Sequence, residues 1–287
     1  MKYQEQRIPQ GHGMLRVRDY GGQGDAYVGL HGFPDNLQIF DEWAPLMAEA
    51  GKRVITFDFL GFGGSDKTQT MEYSFDQQLT DVKAVADGLG LDKIIPVGHD
   101  AGGSVAINFA LKNPGRTAEV YLLNCFYGST PTLKLPELIE LFATGSLSGL
   151  SSAILADPGQ MGWLLDFQGK QFKAHMPIAL AKHFDEFLMP IVAENFMQEQ
   201  SAGPAFATMT ASAFPEVKRN DERLAAVQKL DIPFHLIWGE LDPYLNIGVA
   251  QDLQSKLPHA SLVTLPTGHW PQIDDPGAVA NAMLSPK

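Results

Sequence analysis

The chain has 287 residues, 45% hydrophobic and 19% charged, and its 21 Lys and Arg against 33 Asp and Glu give a net charge of −12. This length is sufficient for one α/β domain with a sizeable core. The acidic balance argues against nucleic acid and anionic membranes as partners, because both favour clustered Lys and Arg. A single cysteine, Cys125, excludes an internal disulfide and a cysteine metal cluster.

The first residues are polar, and no apolar run approaches the roughly 18 residues of a membrane span. We therefore expect a cytoplasmic protein without a signal peptide. No motif indicates a cofactor or a metal. The expected partners are a small, neutral, apolar substrate and water, and the oligomeric state stays open.

Short β-branched or aromatic runs alternate with helix-length segments along the chain. Strands are predicted at 15–19, 26–30, 53–57, 94–98, 119–123, 234–238 and 261–265. One intervening helix is marked by Ser74 and Gln77, which have the spacing of a capping box. Strand and helix alternating with short connections predict a mostly parallel sheet flanked by helices.

This alternation stops between residues 127 and 215. The segment is rich in Phe, Met and Leu, and helices are predicted at 135–142, 161–172, 178–196 and 205–213. A helical insertion between two strands, rich in large apolar side chains, is typical of a lid. We therefore predict a core domain of residues 1–126 and 216–287 and a helical cap domain of residues 127–215.

The most informative motif is G-x-D-x-G, formed by Gly98, His99, Asp100, Ala101 and Gly102 between a predicted strand and a predicted helix. In a nucleophile elbow, small flanking residues permit a sharp turn that exposes the central side chain. Here that side chain is a carboxylate instead of a serine hydroxyl. His99 is expected to pack behind the turn.

A second motif, His31-Gly32-Phe33-Pro34, follows the strand at 26–30. In proteins with a nucleophile elbow, a loop at this position supplies one backbone N–H of an oxyanion hole, and the residue after the nucleophile supplies the other. By position, the expected donors here would be Phe33 and Ala101. His31 is expected to order the loop through hydrogen bonds.

Asp242 and His269 each follow a later strand and complete the chain order nucleophile, acid, histidine. With the two motifs, this order resembles the α/β-hydrolases of the haloalkane dehalogenase and epoxide hydrolase group, over nearly the whole chain. The resemblance implies an α/β-hydrolase fold with Asp100 as nucleophile, His269 as base and Asp242 as its acid. Asn124 stands at the alternative acid position.

A carboxylate suits attack on saturated carbon, because it is already ionised at neutral pH. Attack by Asp100 would give an alkyl ester, and water activated by His269 would then hydrolyse that ester. Epoxides and haloalkanes are the substrates that this division of roles fits best.

The group that assists the leaving oxygen or halide is not fixed by the sequence. Haloalkane dehalogenases usually place Trp after the nucleophile, where this chain has Ala101, and epoxide hydrolases use cap tyrosines, which are absent from residues 128–215. The candidate donors are Trp163, His175, His183, Tyr127 and Tyr244. Epoxide hydrolases resemble this chain in the loop His31-Gly32-Phe33-Pro34, and an epoxide hydrolase is slightly favoured over a haloalkane dehalogenase. An ester or lactone hydrolase and a non-catalytic ligand-binding protein stay open.

Overall fold

The computed structural model describes residues 3–11, 13–67, 73–197 and 200–285. Its centre is an eight-stranded sheet in the order β1-β2-β4-β3-β5-β6-β7-β8, antiparallel at β1 and β2 and parallel from β4 onward. The strands are β1 Gln4–Gln10, β2 Gly13–Asp19, β3 Gln23–Leu30, β4 Lys52–Phe57, β5 Ile94–Asp100, β6 Val120–Cys125, β7 Phe234–Gly239 and β8 Ala260–Leu265. All seven predicted strands are confirmed.

The first strand was not predicted, because its residues are mostly polar and exposed. β1 pairs with β2 at the edge of the sheet, so it needs no alternating apolar face. The central strands β5 and β6 are instead almost wholly buried, as parallel strands covered on both faces must be.

Helices cover the sheet on both sides and lie between its strands in the chain. Those of the sheet region are α1 Trp43–Glu49, α2 Phe75–Gly88, α3 Ala101–Lys112, α11 Ile247–Lys256, α12 Pro271–Asp274 and α13 Pro276–Leu284. Ser74 Oγ accepts a hydrogen bond of 3.0 Å from the backbone N–H of Gln77, which confirms the predicted start of α2.

The segment between β6 and β7 is helical throughout most of its described part and forms one apolar layer over the sheet. Its helices are α4 Glu137–Ala143, α5 Ser148–Leu155, α6 Pro158–Lys173, α7 Ile178–His183, α8 Met189–Met197, α9 Gly203–Ala211 and α10 Ala213–Val227, with a π-helical turn at Phe184–Leu188. Helix α5 was not predicted, since it exposes apolar residues such as Leu150. Helix α10 runs across residue 215, where the sequence had predicted the end of the cap domain.

No single helix of the described ranges is long and apolar enough to cross a membrane. Only the pair Glu137–Ala143 and Gly145–Leu155, taken together across an 88° bend, meets the required length and composition.

Candidate active site

The carboxyl ends of β5, β7 and β8 bring Asp100, Asp242 and His269 together. His269 donates from Nδ1 to Asp242 Oδ2 over 2.6 Å, and its Nε2 lies 3.6 Å from Asp100 Oδ2. The three residues are remote in sequence, but parallel strands end at the same edge of a sheet. The histidine is thus held between two carboxylates.

Asp100 occupies the turn between β5 and α3 with φ 52° and ψ −123°. This conformation is costly for a residue with a side chain, and such strain is concentrated at functional sites. The flanking glycines make the turn possible: a Cβ on Gly98 would lie 2.5 Å from the carbonyl oxygen of Gly102, and a Cβ on Gly102 would lie 2.2 Å from the carbonyl oxygen of Leu30.

The loop after β3 packs directly against the Asp100 carboxylate. A Cβ on Gly32 would lie 2.5 Å from Asp100 Oδ1, so only glycine fits there. His31 donates from Nδ1 to the Gly32 carbonyl (2.6 Å) and accepts from the backbone N–H of Phe59 (3.1 Å), which orders the loop as expected. The Pro34 carbonyl accepts a hydrogen bond of 2.6 Å from Asn195 Nδ2 in α8.

Asp242 is fully engaged as an acceptor. Its Oδ1 accepts from the backbone N–H groups of Tyr244 (2.9 Å) and Leu245 (3.1 Å), and its Oδ2 accepts from Asn124 Nδ2 (2.9 Å) as well as from His269. Burial alone would raise the pKa of Asp242, but the charge of His269 and these hydrogen bonds lower it below its usual value. The carboxylate is therefore ionised and oriented toward the histidine.

The pKa values of His269 and Asp100 are both raised. Burial would lower the pKa of His269, but the charge and hydrogen bond of Asp242, together with the charge of Asp100, raise it. Burial raises the pKa of Asp100, against the opposing charge of His269 and the hydrogen bond from the Ala101 backbone N–H. A more basic carboxylate and a more basic imidazole are both suited to take part in bond-forming steps.

A second layer of polar groups supports the histidine from behind. His99 donates from Nε2 to the His269 carbonyl (2.9 Å), and its Nδ1 lies 3.5 Å from Asp35 Oδ2. Asp35 Oδ2 also accepts from Trp270 Nε1 over 3.0 Å. Asp35 directly follows His31-Gly32-Phe33-Pro34 and Trp270 directly follows His269, so adjacency to the motifs is the signal that could have found them.

Two cavities reach Asp100, with about 570 Å³ and 600 Å³ of empty space when the solvent at their open mouths is included. Both are lined by Phe33, Asp100, Pro136, Ile139 and His269. The first extends below α6 and α8, and the second extends toward α10 and the loop after Asp242. The walls contributed by the helical segment are mainly apolar, as ligand sites usually are.

Three of the predicted donors come from the helical segment and point away from Asp100. Trp163 is 66% exposed and stacks on Phe167, and His175 is exposed in the turn after α6. His183 lies 2.9 Å from Glu42 Oε2. None of the three lines a cavity at Asp100. Their positions do not support the donor role, because a helix in an apolar layer also presents residues to solvent.

The two tyrosines among the predicted donors, Tyr127 and Tyr244, line different cavities. Tyr127 donates to Asn108 Oδ1 over 3.0 Å and lines a separate polar cleft, so its position does not support the donor role either. Tyr244 lines the second cavity together with Asp100 and His269. Its hydroxyl donates to Glu137 Oε2 (2.5 Å) and accepts from Gln168 Nε2 (2.7 Å). Nothing in the sequence pattern distinguished Gln168 in advance.

Among the described residues, no group of three or more His, Cys, Asp or Glu side chains is arranged to hold a metal ion. Cys125 is buried beside the elbow, and burial raises the pKa of its thiol.

The chain is similar to known proteins over most of its length. The family model of the alpha/beta hydrolase fold matches residues 28–276. Epoxide hydrolase 3 of Xenopus tropicalis is 26% identical over 288 residues, covering 93% of this chain and 75% of that protein. A 2-hydroxy-6-oxononadienedioate/2-hydroxy-6-oxononatrienedioate hydrolase 2 of Pseudomonas putida is 27% identical over 278 residues, covering 90% and 86%.

Among solved structures, the epoxide hydrolase CorEH superposes with a TM-score of 0.76 at 21% identity, covering 99% of this chain and 98% of that one. At this identity the superposition shows the fold alone. The family model spans most of the sequence, including both motifs and the three residues at the strand ends. The chain therefore belongs to the α/β-hydrolase fold family.

Proposed function

We propose that this protein is a hydrolase that opens small, neutral epoxides through an ester on Asp100. The observation that carries the proposal is a carboxylate at the elbow, 3.6 Å from the Nε2 of a histidine that is itself bound to Asp242. A serine at this position would need the histidine to remove its proton first, whereas a carboxylate does not. The histidine is then free for the second half of the reaction.

In the first step, an Asp100 oxygen forms a bond to one ring carbon and the bond from that carbon to the ring oxygen breaks. The oxygen leaves as an alkoxide and takes a proton. We assign this proton to Tyr244, because it is the candidate donor that lines a cavity with Asp100. Burial and the neighbouring Glu137 raise the pKa of Tyr244, so its phenol carries a proton at neutral pH. Exposed Glu137 provides the route by which solvent restores that proton.

In the second step, His269 Nε2 takes a proton from water while the water oxygen attacks the carbonyl carbon of the Asp100 ester. Negative charge develops on the ester carbonyl oxygen, and the backbone N–H groups of Phe33 and Ala101 are proposed to stabilise it. Loss of one such donor typically costs about 10²–10³ in rate. The bond between the ester carbon and the diol oxygen then breaks, and His269 returns its proton to that oxygen. The Asp100 carboxyl that results loses the second proton of the water to solvent, which regenerates the carboxylate.

The similarity to epoxide hydrolase 3 over 93% of this chain supports the epoxide over the haloalkane. Trp163 is exposed, which leaves Trp270 and Tyr244 as the indole and the phenol that line the cavities at Asp100 within the described ranges. Trp270 donates its N–H to Asp35 and Tyr244 donates its O–H to Glu137, so the choice of the epoxide rests on the similarity.

The test is trapping of the ester. In His269→Gln the first step remains and the second is blocked, so incubation with neutral epoxides should add the mass of one epoxide to the intact protein. Peptide mapping should place that mass on Asp100. Asp100→Asn should show no adduct, and His175→Gln, which changes an exposed histidine, should turn over without accumulating one.

The proposal fails if His269→Gln gains no mass from epoxides. If His269→Gln instead gains mass from haloalkanes, the substrate class is haloalkanes, and the role of Asp100 as nucleophile stands. Cleavage of activated esters by the unaltered protein, without any alkyl adduct in His269→Gln, would replace the mechanism with that of an ester hydrolase. Saturable binding without turnover of any of these compounds would indicate a ligand-binding protein.

A further inference from the structure

Two separate cavities meet at one nucleophile. Apart from the five residues that they share, each has its own apolar wall. The first is lined by Leu165, Phe172, Leu188, Met189 and Val192. The second is lined by Phe126, Leu133, Leu135, Phe214, Val217 and Leu245. The apolar side chains of each wall suit an aliphatic arm.

The walls of the two cavities are joined by one polar contact. Gln168 lines the first cavity, Tyr244 lines the second, and the amide of Gln168 donates to the Tyr244 hydroxyl over 2.7 Å. The same amide also donates to Glu137 Oε2 (3.1 Å), and its oxygen accepts from the backbone N–H of Leu138 (2.9 Å). The hydrogen-bonding groups of Gln168 are thus satisfied within the protein, and they require no polar group from a ligand.

Asp100 and His269 lie at the junction of the two cavities. Asp35 is buried and lines the first cavity only, where its Oδ2 accepts from Trp270 and its Oδ1 has no hydrogen-bond partner among the described residues. Lys134 of the second cavity is exposed. Apart from Asp35, a ligand that extends from Asp100 in either direction meets mainly apolar side chains, which favour neutral hydrocarbon arms and disfavour negatively charged ones.

We infer that the preferred substrate is an internal electrophile: a neutral molecule whose reactive centre carries an apolar arm on each side, one arm for each cavity. This inference rests on the proposed function, because it takes Asp100 as the attacking group. With the reactive carbon at Asp100, a terminal electrophile can fill one cavity only and leaves the other without a ligand.

The expected preference follows from the hydrocarbon buried by the second arm. Each buried methylene is worth about fourfold in kcat/KM when the enzyme gains its full transfer free energy. A butyl group on each ring carbon should therefore raise kcat/KM by at least about 20-fold over an epoxide with a single butyl group. The quantity to measure is the ratio of kcat/KM for the two-armed epoxide to that for the one-armed epoxide.

A matched pair of variants tests each cavity. Val192→Phe narrows the first and Val217→Phe narrows the second. If both cavities hold arms, either variant should lower the ratio by about tenfold or more. Leu150→Phe, which alters an exposed residue on α5 outside both walls, should leave the ratio unchanged. If a single cavity holds the substrate, one of the two valine variants will leave the ratio unchanged, and that result overturns the inference.

Binding of unreactive products separates this inference from the proposed function. The vicinal diols of the same two epoxides are measured by calorimetry on the unaltered protein and on both variants. Binding of the two-armed diol that is tighter by about tenfold or more, and is lost in both variants, supports the inference even if no epoxide is hydrolysed. Equal binding of the two diols overturns it. Should a Phe variant lower the melting temperature by more than a few degrees, Val→Leu at the same position replaces it.

Discussion

The sheet and the helical segment between β6 and β7 contribute different things to one site. The sheet region supplies the charged groups, and each is fixed by several contacts, as Asp242 is by Tyr244, Leu245, Asn124 and His269. The helical segment supplies mostly apolar surface, and it exposes large side chains such as Trp163 and Ile178. The charged groups of the sheet region are thus oriented by directional hydrogen bonds, whereas the helical segment shapes the cavities mainly through apolar contacts, which are non-directional.

The two regions also differ in the space that surrounds their glycines, and so in the substitutions that they can accept. At the elbow, a Cβ added to Gly98, Gly102 or Gly103 would meet a neighbouring atom at 2.5 Å or less. On the helical segment, a Cβ added to Gly149 or Gly162 would meet open space. We therefore expect the sheet region to reject substitutions that the helical segment accepts.

The largest effect is expected for Asp242→Asn. The amide cannot raise the pKa of His269 as the carboxylate does, so hydrolysis of the Asp100 ester should fall by about 10³–10⁴-fold, while ester formation falls much less. Rapid-quench measurement of the two steps should show the ester accumulating. In the unaltered protein, ester hydrolysis should decline as the pH falls through the raised pKa of His269, because only the neutral imidazole accepts a proton.

An equal loss of rate in ester formation and in ester hydrolysis would contradict this prediction. It would mean that Asp242 acts on the nucleophile and not through the histidine. Glu240→Gln, two residues before Asp242 and exposed, is the matched control and should alter neither step.

The next largest effect is expected in the free energy of unfolding, when one glycine from each region is replaced by alanine. Gly102→Ala should lower the free energy of unfolding by about 2–3 kcal/mol, because its methyl group would overlap the carbonyl oxygen of Leu30. Gly149→Ala in α5 meets no neighbour and should raise it by about 0.5–1 kcal/mol through helix propensity. Urea denaturation of both variants measures the difference. Similar free energies of unfolding for the two variants would show that the turn at Asp100 is no more constrained than the helical segment.

An intermediate effect is expected where the two regions touch. Asp274 Oδ2 accepts from the backbone N–H of Gly268 over 2.6 Å, and burial raises the pKa of this carboxyl to about 6. A carboxyl group with a raised pKa stabilises the fold in its protonated form, and that stability is lost as the pH rises from about 4 through about 6.

Asp274→Asn keeps an acceptor for Gly268 but does not ionise. It should therefore be about 1–2 kcal/mol more stable than the unaltered protein at pH 8 and equally stable near pH 3.5. Thermal unfolding of both proteins across this pH range shows which of the two is more stable at each pH. A variant that is less stable at pH 8 would mean that the ionised carboxylate stabilises the loop before His269.

The smallest effect is expected at Trp163. This side chain is exposed and contacts Phe167, so Trp163→Ala should change the free energy of unfolding by less than about 0.5 kcal/mol and turnover by less than about twofold. Steady-state kinetics with the epoxides above measures it. A tenfold loss of turnover would restore Trp163 as a donor and imply that the helical segment moves toward Asp100 during the reaction.

Seven of the strands, the mostly parallel class of the sheet and the three residues at the strand ends could be predicted from the sequence. Each of these depends on local information: alternation of strand and helix, glycines around Asp100, and Asp242 and His269 directly after predicted strands. Parallel topology then brings such strand ends to one edge, so the proximity of His269 to both carboxylates follows from the pattern.

The directions in which the side chains of the helical segment point could not be predicted from the sequence, because they are set by tertiary packing. Trp163, His175 and His183 had the right chemistry, yet they face solvent or Glu42, while Gln168 and Phe172 face the site. The reason is physical. A helix in an apolar layer can rotate or shift with little change in buried area, so its orientation is set by packing against the sheet and not by its own sequence. The same packing separates two cavities at Asp100, and no local pattern contains that information.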